Sequence, residues 1–140
     1  MTAGLSSLFW SGDEIREFLA QSSAGKVIRS PSLPGSLKTL WLLELGKASS
    51  APLLIITKDE NASEILIREL ETLAPFQVHP FPDLDVLPDE KRSPSIELVG
   101  RRILTLSEIL SGRARIVVGS VRAITRRGIS RNTITSGLHV

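Results

Sequence analysis

Apolar positions along the chain alternate between short unbroken runs and longer stretches spaced by threes and fours. Ser11-Gly12-Asp13-Glu14 forms a capping box, with Ser11 as N-cap and Glu14 three residues on. Ile15, Phe18 and Leu19 then share one face, which predicts a first helix ending in the small, polar cluster 22–25. Residues 26–30 read as a short strand and 31–35 as a Pro/Gly/Ser turn. A second helix follows, with Leu37, Leu40, Trp41 and Leu45 in one stripe and Gly46 closing it. Residues 52–57 are continuously apolar between breakers, the mark of a strand covered on both faces, as in a parallel sheet.

The rhythm then repeats. Asn61-Ala62-Ser63-Glu64 caps a third helix with Ala62, Ile65, Leu66, Leu70 and Leu73 on one side, and Pro75 stops it. Residues 78–81 form another short strand, and the turn-rich stretch 82–88 follows. Ser93-Pro94 opens a helix in which Ile96, Val99, Ile103, Leu106 and Leu110 recur, with Gly112 as its end. Residues 115–119 give a fourth strand, 120–127 a short helix, and 128–140 a polar, aperiodic tail that is expected to fray. Strands alternating with helices predict an α/β fold of three layers, a parallel sheet with helices on both faces.

Composition narrows the class. The 140 residues, 41% hydrophobic and 23% charged, suit one globular domain with a core of its own. The sequence holds no cysteine, which excludes a disulfide framework, a thiolate zinc site and a cysteine nucleophile, and suits a reducing cytoplasm. No apolar run reaches the ~18–20 residues of a membrane span, so no membrane partner is expected. The net charge of +2 hides an asymmetry. Residues 1–100 carry nine Lys/Arg against fourteen Asp/Glu, whereas 101–140 carry eight arginines against Glu108 alone. Arg122, Arg126 and Arg127 are the candidates for contact with nucleic acid or an acidic partner. The competing expectation is a solvated or internally paired face, because no aromatic residue interleaves with these arginines for base stacking.

Candidate chemistry centres on Ser32–Thr39, which has the outline of a phosphate-binding loop, G-x-x-x-x-G-K-[ST]. Gly35, Lys38 and Thr39 are its candidate nucleotide-binding residues. Ser32 and Leu37 occupy the positions of the two required glycines, so a side chain at 37 crowds the space of a phosphate and the site reads as degenerate. Asp59 is the one acid at a strand end that offers a Mg²⁺ ligand, and it reads better as a cap. Asp83, Asp85, Asp89 and Glu90 fit no calcium loop, and Pro82 and Pro88 point to a rigid, exposed loop. His79 and His139 suggest no joint site, and no catalytic residue or metal centre is assigned.

Four segments, SLPGSLKTLWLLEL, PLLIITKDENASEILIREL, FPDLDVLPDEKRSPSIELVGRRILTLSEIL and IVVGSVRAITRR, resemble in order and spacing the N-terminal, UvrB-like part of bacterial transcription-repair coupling factor. The most specific piece is Phe81-Pro82-Asp83-Leu84-Asp85-Val86-Leu87-Pro88 with Ser93-Pro94 behind it, although Leu84 stands where the family commonly has Trp and Asp89 where it has Tyr. The resemblance covers residues 27–127 and implies there a P-loop NTPase-like, UvrB-like subdomain whose nucleotide site is lost; the helical reading of the residues makes 1–26 an N-terminal helical segment before it, and 128–140 is expected to hold a truncation point. It implies a non-catalytic role in transcription-coupled nucleotide excision repair, where the full-length protein displaces stalled RNA polymerase and recruits UvrA. No cofactor is implied for this segment; ATP and Mg²⁺ would serve a helicase-like DNA translocase motor beyond Val140. Two alternatives stand beside it: a working nucleotide-binding domain and an arginine-mediated DNA-binding module.

Overall fold

In the computed structural model the described residues are 10–23, 25–29, 32–74, 78–86, 91–126, 128 and 130–137. The elements in chain order are α1 (Gly12–Ser23), α2 (Ser36–Ala48), β1 (Leu53–Thr57), α3 (Glu60–Leu73), β2 (Val78–Pro80), α4 (Ile96–Leu110), β3 (Ile116–Ser120), α5 (Val121–Thr125) and α6 (Arg131–Gly137). The capping box that opens α1 is formed in both directions. The Ser11 N–H donates to Glu14 Oε2 at 2.7 Å, and the Glu14 N–H donates to Ser11 Oγ at 3.2 Å. Glu14 is thereby held below the usual carboxylate pKa, chiefly by the Ser11 backbone N–H.

The three strands are parallel in the order β1-β3-β2, with Leu53 opposite Ile116 and Val78 opposite the same residue on the other side. β3 is therefore central, and all five of its residues are buried. Side chains alternate across the sheet, so β3 feeds two separate cores. Ile116 and Val118 join Leu43 of α2, Leu66 and Leu70 of α3 and Val78 of β2 on one face. Val117 joins Leu106 and Ile109 of α4, Ala123 of α5, and Phe81 on the other. This is the expected three-layer α/β arrangement, with three strands in place of the expected four among the described residues.

Several local expectations give way to tertiary packing. Residues 26–29 form no strand, so no described strand feeds the turn before α2; Ser30 and Pro31 lie outside the described residues. Gly46 does not end α2. It sits inside the helix where α2 meets β3, and a Cβ there would lie 2.7 Å from Cγ1 of Ile116. The cap of α3 is Asp59, whose carboxylate accepts from the Ala62 N–H at 2.8 Å, two residues before the expected cap. The N-cap of α4 is Ser95 in place of Ser93, and its N–H is taken by Asp85.

Two hydrophobic stripes also turn out otherwise. β1 is covered on one face alone: Leu54 and Ile56 are 49% and 52% exposed, while Ile55 packs into the core. On α4, Ile96, Ile103 and Leu110 of the expected stripe are exposed and Leu106 packs into the core, while the buried positions are Arg102, Thr105 and Ser107. The tail expected to fray carries α6, which packs against α4 with Ile134 buried. Pro75, residues 87–90, Arg127 and His139 lie outside the described residues.

Candidate functional site

Open parallel sheets bind ligands beyond the carboxyl ends of the strands, where neighbouring strands send their connections to opposite faces. Here that point lies between β1, which leads to α3 on one face, and β3, which leads to α5 on the other. The crevice is bridged by the chain's own groups. Ser120 Oγ donates to Glu60 Oε2 at 2.9 Å and itself accepts the Ala123 N–H at 3.1 Å as the cap of α5. Glu60 Oε1 accepts the Asp83 N–H at 3.2 Å, and Thr57 Oγ1 lies 2.6 Å from Ser63 Oγ.

Next to this bridge, the loop from 81 to 86 is gripped by two helices. The Phe81 N–H donates to Val118 O at 2.7 Å, extending the β2–β3 pairing by one bond. From α4, Thr105 Oγ1 donates to Pro80 O at 2.6 Å, and Arg102 Nη1 donates to Pro82 O at 2.9 Å and Ala123 O at 3.1 Å. The same guanidinium sits 4.0 Å from the centroid of the Phe81 ring. Burial lowers the pKa of Arg102 and the Asp83 charge opposes that. The Asp83 carboxylate receives Arg122 Nε at 2.9 Å and Arg126 Nε at 3.0 Å, one on each oxygen. Arg126 also donates to Val86 O, and Asp85 accepts the Ser95 N–H at 2.9 Å. That N–H is the main reason the Asp85 carboxyl lies below its ordinary pKa.

Two of the candidate arginines thus meet on one carboxylate. The Arg126 side chain is 15% exposed and that of Arg122 56%, so Arg126 is committed to the loop and Arg122 keeps an outward face. Arg127 is outside the described residues.

The phosphate-loop-like turn lies elsewhere. Gly35 is the N-cap of α2 with φ +53°, a conformation that favours glycine. No non-glycine residue among those described has a positive φ, so Leu37 follows as ordinary first-turn helix. Lys38 is exposed, whereas Thr39 is 1% exposed and its Oγ1 donates to Glu69 Oε2 at 2.6 Å. Glu69 is nine residues into α3, about 13 Å along that helix from the carboxyl edge of the sheet. The turn at 35–39 is therefore separated from the crevice, and Lys38 and Thr39 do not converge. Among the described residues no group of three or more His, Cys, Asp or Glu side chains is placed to hold a metal ion. None of their helices is long and apolar enough to cross a membrane.

Sequence reading missed Glu60, Arg102 and Ser120. Each looks ordinary in sequence: Glu60 precedes the expected cap, Arg102 lies in an apolar stripe and Ser120 follows a strand. The available signal was the arginine-against-acid imbalance between the two parts of the chain, part of which the Asp83 pairings satisfy internally. Neither a protein-family model nor a curated protein sequence matches the chain.

Proposed function

We propose that this chain is a non-catalytic scaffold subdomain of the transcription-repair coupling factor type, a P-loop NTPase-like layer that has given up nucleotide binding. In this reading it serves transcription-coupled nucleotide excision repair by holding a partner-facing loop in shape. Motor activity, ATP and Mg²⁺, displacement of stalled RNA polymerase and UvrA recruitment belong to the full-length protein. The observation that carries the reading is Thr39. The hydroxyl that a phosphate loop turns toward Mg²⁺ is here buried and donated to Glu69. In support, the loop that most resembles the family, 81–86, is the part of the carboxyl edge most heavily tied down.

Thermal unfolding in millimolar Mg-ATP tests the loss of nucleotide binding. A working site at about a hundred times its Kd adds about 2.7 kcal/mol and raises Tm by several degrees. No Tm change is expected, and a clear Mg²⁺-dependent rise overturns the reading. Parentage is tested by the DNA beyond the Val140 codon: a translocase reading frame is expected, and an unrelated frame rejects it.

A further inference from the structure

Between α3 and the 80–86 loop lies an open cleft of about 770 Å³. Its floor is apolar, formed by the half-buried Ile67, Leu84 and Leu98 over the fully buried Val118. Its rim is charged, with five carboxylates against three guanidiniums. Two of the three cations are already neutralised, Arg101 by Glu97 at 2.9 Å and Arg122 by Asp83. The negative surplus falls on the α3 side, where Glu64 and Glu71 are exposed and have no ion-pair partner among the described residues. Seven residues separate them, so they stand two turns apart on one side of α3, about 10 Å along its axis.

We infer that this cleft is a docking groove for a short basic amphipathic helix of a partner protein, lying along α3. Lys or Arg residues seven apart on such a helix meet Glu64 and Glu71, and the apolar residues at i+3 and i+4 between them enter the floor. Arg68, placed between the two glutamates, favours an acidic or neutral residue opposite it. Nucleic acid is a poor occupant, because the surplus carboxylates repel phosphate. A small polyamine satisfies the charges and leaves the floor empty.

The groove is independent of the turn at 35–39, so nucleotide binding there and failure of peptide docking here are separate outcomes. The test uses fluorescence anisotropy of the whole chain with a labelled alanine-based peptide carrying lysines at i and i+7 and leucines at i+3 and i+4. Saturable binding is expected, weakening at least tenfold when glutamates replace the lysines or alanines replace the leucines. The doubly charge-reversed chain, Glu64→Lys with Glu71→Lys, is expected to lose at least tenfold affinity for the lysine peptide while unfolding at an unchanged temperature, since both side chains are exposed. Equal binding of the lysine and glutamate peptides, indifference to the double reversal, or competition by spermine as effective as by unlabelled peptide overturns the inference. So does the absence of saturable binding at millimolar peptide.

Discussion

Asp83 holds two guanidiniums of very different exposure, and that difference decides what each contact is worth. An exposed ion pair contributes about 0–1 kcal/mol, whereas removing one partner of an enclosed pair strands a charge away from water. Arg122 is more than half exposed, so Arg122→Ala is expected to lower unfolding free energy by less than about 1 kcal/mol. Asp83→Ala strands Arg126, which is largely enclosed, and is expected to lower it by about 2–3 kcal/mol, a value discounted for the solvent that remains. Urea unfolding of the two variants checks the order, and equal losses would show that Asp83 does not organise the loop. Arg102 works by a different route: its guanidinium serves two backbone carbonyls and a ring face, so a lysine there supplies the charge without the fork. Thr39 shows how a residue with a suggestive neighbour can hold a purely internal bond. Lys38 beside it points out to solvent, and adjacency in a motif does not establish that two side chains act together.

Of the two apolar strand runs, the one that packs on two sides was legible from pattern and the one at the sheet edge was misjudged. β3 shows the first case, because Ile116, Val117 and Val118 form an apolar run that both cores use. β1 has the same kind of run, yet it is an edge strand whose Leu54 and Ile56 stay about half exposed. An apolar run reports what a strand can bury, and strand order, set by contacts distant in sequence, decides which faces are covered. In this chain alone, Leu54→Ala is therefore expected to change stability by less than about 1 kcal/mol, because half of that side chain is already in water. Ile55→Ala removes core contacts and is expected to destabilise by about 2–4 kcal/mol. Similar losses from the two, measured by thermal unfolding, would mean that the outer face of β1 is covered in solution. On α4 the expected stripe is only partly inward: Leu106 packs into the core while Ile96, Ile103 and Leu110 stay exposed, and Arg102 and Thr105 turn inward to bind loop carbonyls that no helical periodicity encodes. The clasp on residues 80–86 was illegible for the same reason: apart from the Ser95 N–H on Asp85, the α4 and α5 donors lie twenty or more residues from their acceptors.

At the scale of the molecule, the charge asymmetry is the feature most open to two interpretations, and the ion pairs bear on how many cations remain available. Of the eight arginines from 101 onward, Arg101 meets Glu97, Arg113 meets both oxygens of Glu108, and Arg122 and Arg126 meet Asp83. Arg102 and Arg115 are engaged with backbone carbonyls, Arg115 donating to Ser49 O at 3.2 Å. Binding to a duplex releases about 0.9 counterions for each phosphate neutralised, so the slope of log affinity against log salt counts the cations that take part. Eight free arginines on one surface would give a slope of about −7, with affinity collapsing between low and physiological salt. With six of the eight engaged in the chain's own structure, the expected slope for a short duplex is shallower than about −2, and no saturable binding is expected near physiological salt. Anisotropy of labelled duplex across a salt series measures it. A steep slope would show that the arginine pairs open to meet phosphate and would revive the DNA-binding alternative. A shallow one leaves Arg102, Arg122 and Arg126 as ties that draw the basic part of the chain onto the acidic loop of its own fold, with Arg101, Arg113 and Arg115 engaged elsewhere on the chain.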